Sequence, residues 1–266
     1  MAETTEMGLA VAGDAVTPDG SIRVKKLAGA LGAEITGVSL RDLSDDQFAV
    51  IHAACLEHCV LVFPGQHLDP DGQVAFGRRW GDMRTAPWLE SATGHPEIQI
   101  AVTQGKGGAI TELWHSDGAF EEHPPSFTLL NAITLPAWGG DTVWANQYLA
   151  YERLPDDLRQ RVDTLRAVHA GFGREATHPV VRVHPETGKK SLFISQPATR
   201  YFEGSTPRKS YPLLKHLLEH ATALDVTFRH RWSEGDLVMW DNRCLIHFAI
   251  RDYGEQIRVM HRAVVN

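Results

Sequence analysis

The chain is short of the features that mark specialised protein classes. Its three cysteines, Cys55, Cys59 and Cys244, are an odd number at irregular spacing, which excludes a disulfide framework. Cys55 and Cys59 stand one helical turn apart in the apolar stretch 51–63 and read as buried thiols. A Cys-x3-Cys metal site would need further soft ligands nearby, and the sequence offers none. This usage points to a reducing compartment. No run approaches eighteen apolar residues, so no membrane-spanning helix is expected. There is no basic stripe and the formal net charge is −7, which argues against nucleic acid as a partner. Any anion must then be held by a local arginine. Residues 1–20 hold neither Lys nor Arg and no long apolar run, unlike a signal peptide; they are expected to be a flexible tail on a cytoplasmic protein.

What remains is ordinary globular composition, 43% hydrophobic and 22% charged over 266 residues, enough for one large core. Residues 21–40 alternate imperfectly around glycines and read as short strands. Ser44 or Asp45 caps a helix to about His58, residues 60–63 form a buried strand, and Asp69 or Asp71 caps a second helix through Trp80. After a loop-rich stretch with a strand at 98–103 the texture changes. Segments 126–135, 141–144, 180–184, 191–195, 225–232, 236–240, 243–248 and 256–265 all read as strands bounded by Gly, Pro, Asn or Asp. Helices are expected at 155–168 and 210–224. Many short strands suggest a sandwich or barrel, here one domain over 21–266 with a mixed N-terminal subregion.

His115-Ser116-Asp117 is the first motif that carries chemistry. On a strand, residues two apart point the same way, so His-x-Asp presents an imidazole and a carboxylate to one ion. A distant second His completes a facial triad with three open positions, as an iron oxygenase needs. With 14 His and 33 acids in 266 residues, roughly two His-x-acid matches arise by chance. Four occur, at His67, His95, His115 and His184. Three sit in Pro/Gly-rich turns, where the acid reads as a turn or cap residue; only the match at 115 follows an apolar pair, Leu113-Trp114. His247 lies in an apolar strand and, alone, reads as a core histidine. Eleven residues on, period two puts Arg258, Met260 and Arg262 on one strand face. Two arginines there need anions, unless they are surface salt bridges on an edge strand.

At this point the residues resemble the taurine dioxygenase / 2,4-dichlorophenoxyacetate dioxygenase family of Fe(II)- and 2-oxoglutarate-dependent oxygenases. The matching pieces are Trp114-His115-Ser116-Asp117, Gly139-Gly140-Asp141-Thr142-Val143-Trp144, the stretch from His178 to Pro185, the stretch from Gly235 to Arg243, His247, and Arg258-Val259-Met260-His261-Arg262. Residues 31–38 also resemble the family's start. In order, the pieces span about 22–265.

The resemblance implies a mainly β fold with flanking helices, a double-stranded β-helix or jelly-roll barrel. It implies His115, Asp117 and His247 as iron ligands, Thr142 and Arg258 as the pair for the distal carboxylate of 2-oxoglutarate, and Arg262 as the holder of an anionic group of the substrate. The reaction it implies consumes O2 and 2-oxoglutarate, releases succinate and CO2, and hydroxylates a substrate C–H. Asp117 argues against a halogenase, since it fills the position a halide would take. The family commonly forms dimers or tetramers.

Charge supports an anionic substrate. Iron(II), Asp117, 2-oxoglutarate and Arg258 balance, leaving Arg262 as an uncompensated cation that a carboxylate, sulfonate or sulfate would neutralise. Taurine itself is not expected. The taurine-specific relatives carry a His and a Tyr after the second helix, whereas residues 84–89 lack both. Thr111 replaces their Asn, and Gly118 follows the acid where they have Val. Gly118 offers its N–H and leaves room beside the metal, and Trp88, Phe120 and Phe172 are candidates to line an open pocket. The competing readings are a zinc hydrolase or cupin-like isomerase on the same barrel, and a β-sandwich binding module with both His in its core. A dicarboxylate clamp at Thr142 and Arg258 is what a hydrolase would not need.

Overall fold

The computed structural model describes residues 14–16, 22–86, 89–105 and 110–266. Its major sheet has nine strands. From one edge they run Asp14–Val16, Arg23–Lys26, Ala33–Thr36, Val60–Phe63, Leu237–Asp241, Phe127–Thr134, Arg258–Val265, His95–Thr103 and Ser91–Ala92. A smaller sheet orders Thr227–His230, Thr142–Asn146 and Leu245–Ala249, with Thr142–Asn146 in the centre. The strands of the mixed N-terminal region, Arg23–Lys26, Ala33–Thr36, Val60–Phe63, Ser91–Ala92 and His95–Thr103, all belong to the major sheet. Residues 14–16, inside the expected tail, pair with Arg23–Lys26; the rest of the tail lies outside the described residues.

Period-two alternation decides what each sheet face buries. Val60, Val62, Val238, Trp240, Ala132 and Met260 point toward the smaller sheet and pack with its Trp144, Phe228 and Leu245. Their neighbours Leu61, Phe63, Leu129, Leu237, Met239, Ala263 and Val265 point outward and pack under the helices Asp45–His58 and Pro70–Arg78. Two facing sheets of this kind make a jelly roll, although the described strands do not close a continuous barrel. The helix caps follow the sequence. Ser44 forms a capping box with Gln47, and Asp69 caps the second helix ahead of Pro70.

One expected helix is cut short. The helix after Pro155 covers only Asp156–Val162, and residues expected to continue it form the strand Arg166–Gly171, paired with Arg174–Pro179 and Thr199–Phe202. Leu158, Val162 and Leu165 do pack into one cluster, so the spacing was genuine, but it runs past the helix end. The hairpin turns through Phe172 and Gly173, both at positive φ. The helix Gln147–Glu152 and the strands Arg174–Pro179 and Thr199–Phe202 were not expected from the sequence.

Candidate active site

His247 sits on the Leu245–Ala249 strand directly opposite Trp144, so it faces the space between the sheets. His115 joins that sheet through a single bridge, exchanging both backbone hydrogen bonds with His247 at 3.0 and 2.7 Å. The His-x-Asp segment is therefore not a regular strand, and Asp117 already lies in a turn. The bridge nonetheless does what the expected strand would have done. It sets the two imidazoles with centroids 4.0 Å apart, and ligand atoms of His115, Asp117 and His247 all lie within 4.8 Å of one another.

The surroundings leave the triad in the protonation state a metal requires. The Nδ1 of His115 lies 2.7 Å from the Leu113 carbonyl, so it carries the proton and Nε2 keeps its lone pair. Burial lowers the His115 pKa and pushes that of His247 well below its ordinary range, with the neighbouring His115 adding to the effect on His247. For Asp117, burial pushes upward, but Arg262, the two histidines and the Thr128 hydroxyl more than offset it and hold the carboxyl below the usual carboxylate range. Asp117 Oδ2 accepts from Thr128 Oγ1 at 2.7 Å and forms an ion pair with Arg262 Nη2 at 2.9 Å. Asn242 donates to Thr128 Oγ1 at 3.0 Å, and Trp240 donates to Asn242 Oδ1 at 3.0 Å. Asp117 Oδ1 remains 3.8 Å from His115 Nε2, free to ligate. Two neutral imidazoles and one carboxylate suit Fe(II).

The second half of the site lies along the Arg258–Val265 strand. Arg258 and Arg262 share the inward face with Met260, as period two requires. The bulge in this region falls on the neighbouring strand, at Ile133, and leaves that alternation intact. Arg258 is 7% exposed, and its Nε and Nη2 have no hydrogen-bond partner among the described residues. Burial lowers its pKa, with partial relief from Tyr253 and Asp141. An unpaired buried guanidinium is costly unless an anion completes it. Thr142 lies on the same inward strand face as Trp144, and Trp232 touches both Thr142 and Arg258: its Nε1 donates to Thr142 Oγ1 at 3.0 Å and its ring centroid lies 5.6 Å from Arg258 Cζ. Gly140 adopts φ +75 where a Cβ would come within 3.3 Å of Arg258 Cδ, so this glycine makes room for the arginine's stem. These features fit a bound dicarboxylate.

Other expected residues fare differently. Gly118 has φ +59, and a Cβ there would meet Pro125 Cδ at 2.6 Å. Its missing side chain is explained by the turn and by Pro125, not by room for a ligand. Thr111 is exposed on the 3-10 turn Ile110–Glu112. Trp88 lies outside the described residues. Phe172 is 76% exposed and meets Phe120 in a tilted pair at 5.4 Å; Phe120 is half-buried and packs against Ala119, Phe193 and Ala198. Arg262 is not the free cation the charge count assumed, since it pairs with Asp117 and donates to Gln99 Oε1 at 2.7 Å. Thr128, Asn242, Gln99 and Trp232 were missed; only Asn242 lay inside a matched segment. The other His-x-acid pairs are structural. Asp69 is a helix cap, and the buried His184 bonds Asp241 at 3.0 Å.

The sequence matches the taurine catabolism dioxygenase TauD, TfdA family over residues 23–264. It is 38% identical to an alkylsulfatase of Acinetobacter baylyi, covering 92% of this chain and 85% of that one. It is 36% identical to an alpha-ketoglutarate-dependent sulfate ester dioxygenase of Pseudomonas putida, covering 91% and 88%. The fold superimposes on a taurine dioxygenase crystal structure from Burkholderia xenovorans with a TM-score of 0.86 at 38% identity, covering 92% and 90%. The chain belongs to the TauD/TfdA family and is an Fe(II)- and 2-oxoglutarate-dependent dioxygenase.

Proposed function

We propose that this dioxygenase acts on a sulfate ester, with His115, Asp117 and His247 holding Fe(II), Thr142 and Arg258 holding the distal carboxylate of 2-oxoglutarate, and Arg262 holding the sulfate. The observation that carries the co-substrate assignment is the buried Arg258, two of whose nitrogens have no partner among the described residues. Bound iron with O2 and 2-oxoglutarate supplies the oxidant, and 2-oxoglutarate leaves as succinate and CO2.

The chain's own groups orient and charge the site. Thr128 and Arg262 hold Asp117 Oδ2 so that Oδ1 turns to the metal. Leu113 fixes the His115 tautomer. The pairing of Arg262 with Asp117 shares charge without changing its total. With iron, Asp117, Arg258 and dianionic 2-oxoglutarate in balance, Arg262 leaves one net positive charge for a monoanion. A sulfate monoester carries that single charge, and the two relatives named for sulfate-ester chemistry support this choice over a phenoxy acid. Hydroxylation of the carbon bearing the ester oxygen yields a hemiacetal sulfate, which collapses to an aldehyde and inorganic sulfate.

A homo-oligomer, dimer or tetramer, belongs to the same reading; the exposed Val102, Trp138 and Ile257 support it. So does a reducing, cytoplasmic setting, supported by three free buried cysteines. No helix among the described residues is long and apolar enough to cross a membrane.

The test is succinate release from iron-loaded enzyme offered hexyl sulfate, taurine or 2,4-dichlorophenoxyacetate. Hexyl sulfate should give succinate and sulfate in equal amounts. Turnover of taurine at a comparable kcat/KM would overturn the substrate assignment.

A further inference from the structure

Trp232 lies just before the turn that leads into the Leu237–Asp241 strand and is 7% exposed. It belongs to no part of the metal triad. Its indole Nε1 donates to Thr142 Oγ1 at 3.0 Å. Its ring lies under the guanidinium of Arg258, with Cζ 5.6 Å from the ring centroid. One side chain thus touches both members of the proposed carboxylate clamp.

The hydrogen bond has a direction, and the direction matters. An indole N–H can only donate, whereas a threonine hydroxyl has one proton and two lone pairs. Trp232 therefore occupies a lone pair of Thr142 and leaves its single proton to be given elsewhere. Thr142 is 3% exposed, and no described residue accepts that proton. The same holds for Arg258, whose Nε and Nη2 are buried without acceptors. Donors without acceptors on both residues, joined through one indole, make a receptor for an anion with two or more acceptor oxygens. The ring face adds cation–π attraction that steadies a guanidinium otherwise disfavoured by burial. His230 packs edge-on against the ring at 5.0 Å and is itself tied to Asp236 at 3.1 Å, which keeps the indole in place.

We infer that Trp232 is a positioning residue for 2-oxoglutarate: it polarises Thr142 into an obligatory donor and holds Arg258 beside it, so that both face the distal carboxylate. The inference rests on the assignment of Thr142 and Arg258 as the clamp. It concerns discrimination as well as affinity, because it acts only on co-substrates that carry the second carboxylate.

The test is calorimetric titration of Mn(II)-loaded protein, without turnover, with 2-oxoglutarate and with 2-oxovalerate, which has the same carbon chain but a methyl in place of the distal carboxylate. Trp232→Phe keeps an aromatic face and removes the N–H. It should weaken 2-oxoglutarate about tenfold and leave 2-oxovalerate unchanged. In a Thr142→Val background the same change should cost under threefold, since the hydroxyl it orients is gone. Equal weakening of both ligands would make Trp232 merely structural, and unchanged 2-oxoglutarate affinity would also overturn the inference. Failure of the underlying clamp looks different: Thr142→Val and Arg258→Met would then leave 2-oxoglutarate affinity intact. Should Trp232→Phe not fold, the indole N–H resonance in the wild-type Zn(II) protein decides. It must stay protected from exchange when 2-oxoglutarate binds, and loss of protection on binding counts against the proposal.

Discussion

Arg262 Nη2 and Asp117 Oδ2 form an ion pair at 2.9 Å, across the gap between the Arg258–Val265 strand and the turn that carries the acid. The arginine proposed to receive substrate is therefore also a support of the carboxylate proposed to bind metal. From sequence alone, replacing it is expected to raise substrate KM far more than it affects uncoupled 2-oxoglutarate turnover. The geometry divides the effect. Arg262→Met should raise KM for a sulfate ester by at least ~30-fold, the scale of ~2 kcal/mol for a lost charge-assisted contact. It should weaken iron binding only a few-fold, because Thr128 still holds Oδ2. Uncoupled 2-oxoglutarate turnover at saturating iron should stay near wild type. Steady-state kinetics with a parallel iron titration measure all three, and an equal fall in both turnovers at saturating iron would contradict the assignment.

Thr128 makes the complementary prediction. It donates to Asp117 at 2.7 Å and accepts from Asn242, so it sets the carboxylate's rotation without touching the metal. Thr128→Val keeps the shape and removes the hydroxyl. Partners of this kind are worth about 10- to 100-fold in metal affinity. Iron or Mn(II) titration should show that loss, and Thr128→Ser should recover most of it.

The contrast between these two residues shows what was legible beforehand. Arg258, Met260 and Arg262 could be placed on one face from the sequence because strand periodicity is local, and the jelly-roll reading rested on the same alternation. Asp45–His58 and Pro70–Arg78 announced themselves through their caps. Thr128, Gln99 and Trp232 could not be found this way. Gln99 meets Arg262 through strand pairing between segments far apart in the chain, where register is decided by the packed core and not by neighbouring residues. Trp232 reaches Thr142 from the coil that follows Thr227–His230, a strand paired with Thr142–Asn146. Thr128 reaches Asp117 because the chain turns back between them. The helix end at Val162 was hidden for a related reason: Leu165 and Val168 continue a helical spacing, but the pairing of Arg166–Gly171 with two other strands outweighs local preference. Gly118 misled because a missing side chain beside a metal motif suggests ligand space, whereas Pro125 occupies it.

Arg258 carries its unpaired nitrogens at a cost to the ligand-free fold. Arg258→Met removes the buried cation and keeps an apolar stem of similar length. The variant should be more stable than wild type without co-substrate, by on the order of 1 to 3 kcal/mol, the scale of an unsatisfied buried polar group. It should also lose the stabilisation that 2-oxoglutarate confers on the metal-loaded wild type. Chemical denaturation with and without 2-oxoglutarate checks both halves. A destabilised variant would show that Arg258 is satisfied in the free protein.

His169 offers a test of burial at a residue outside the triad. It is fully buried between Phe193 and His178, its Nδ1 lies 3.1 Å from Thr199 Oγ1, and its Nε2 has no partner among the described residues. Burial, with smaller contributions from His178 and Arg182, pushes its pKa down to about 3. The folded protein therefore resists a proton that the unfolded chain accepts near the ordinary histidine value of about 6.5. Stability from this group is complete above about 6.5 and is lost as pH falls below it, by up to about 1.4 kcal/mol per unit until the folded pKa is reached. His169→Asn retains a polar atom for Thr199 and cannot titrate. The variant's stability should fall less steeply than wild type between pH 6.5 and pH 4.5, by up to one proton's worth of slope, in urea titrations at matched ionic strength. Parallel slopes would mean that the imidazole is protonated, or solvated, within the folded protein.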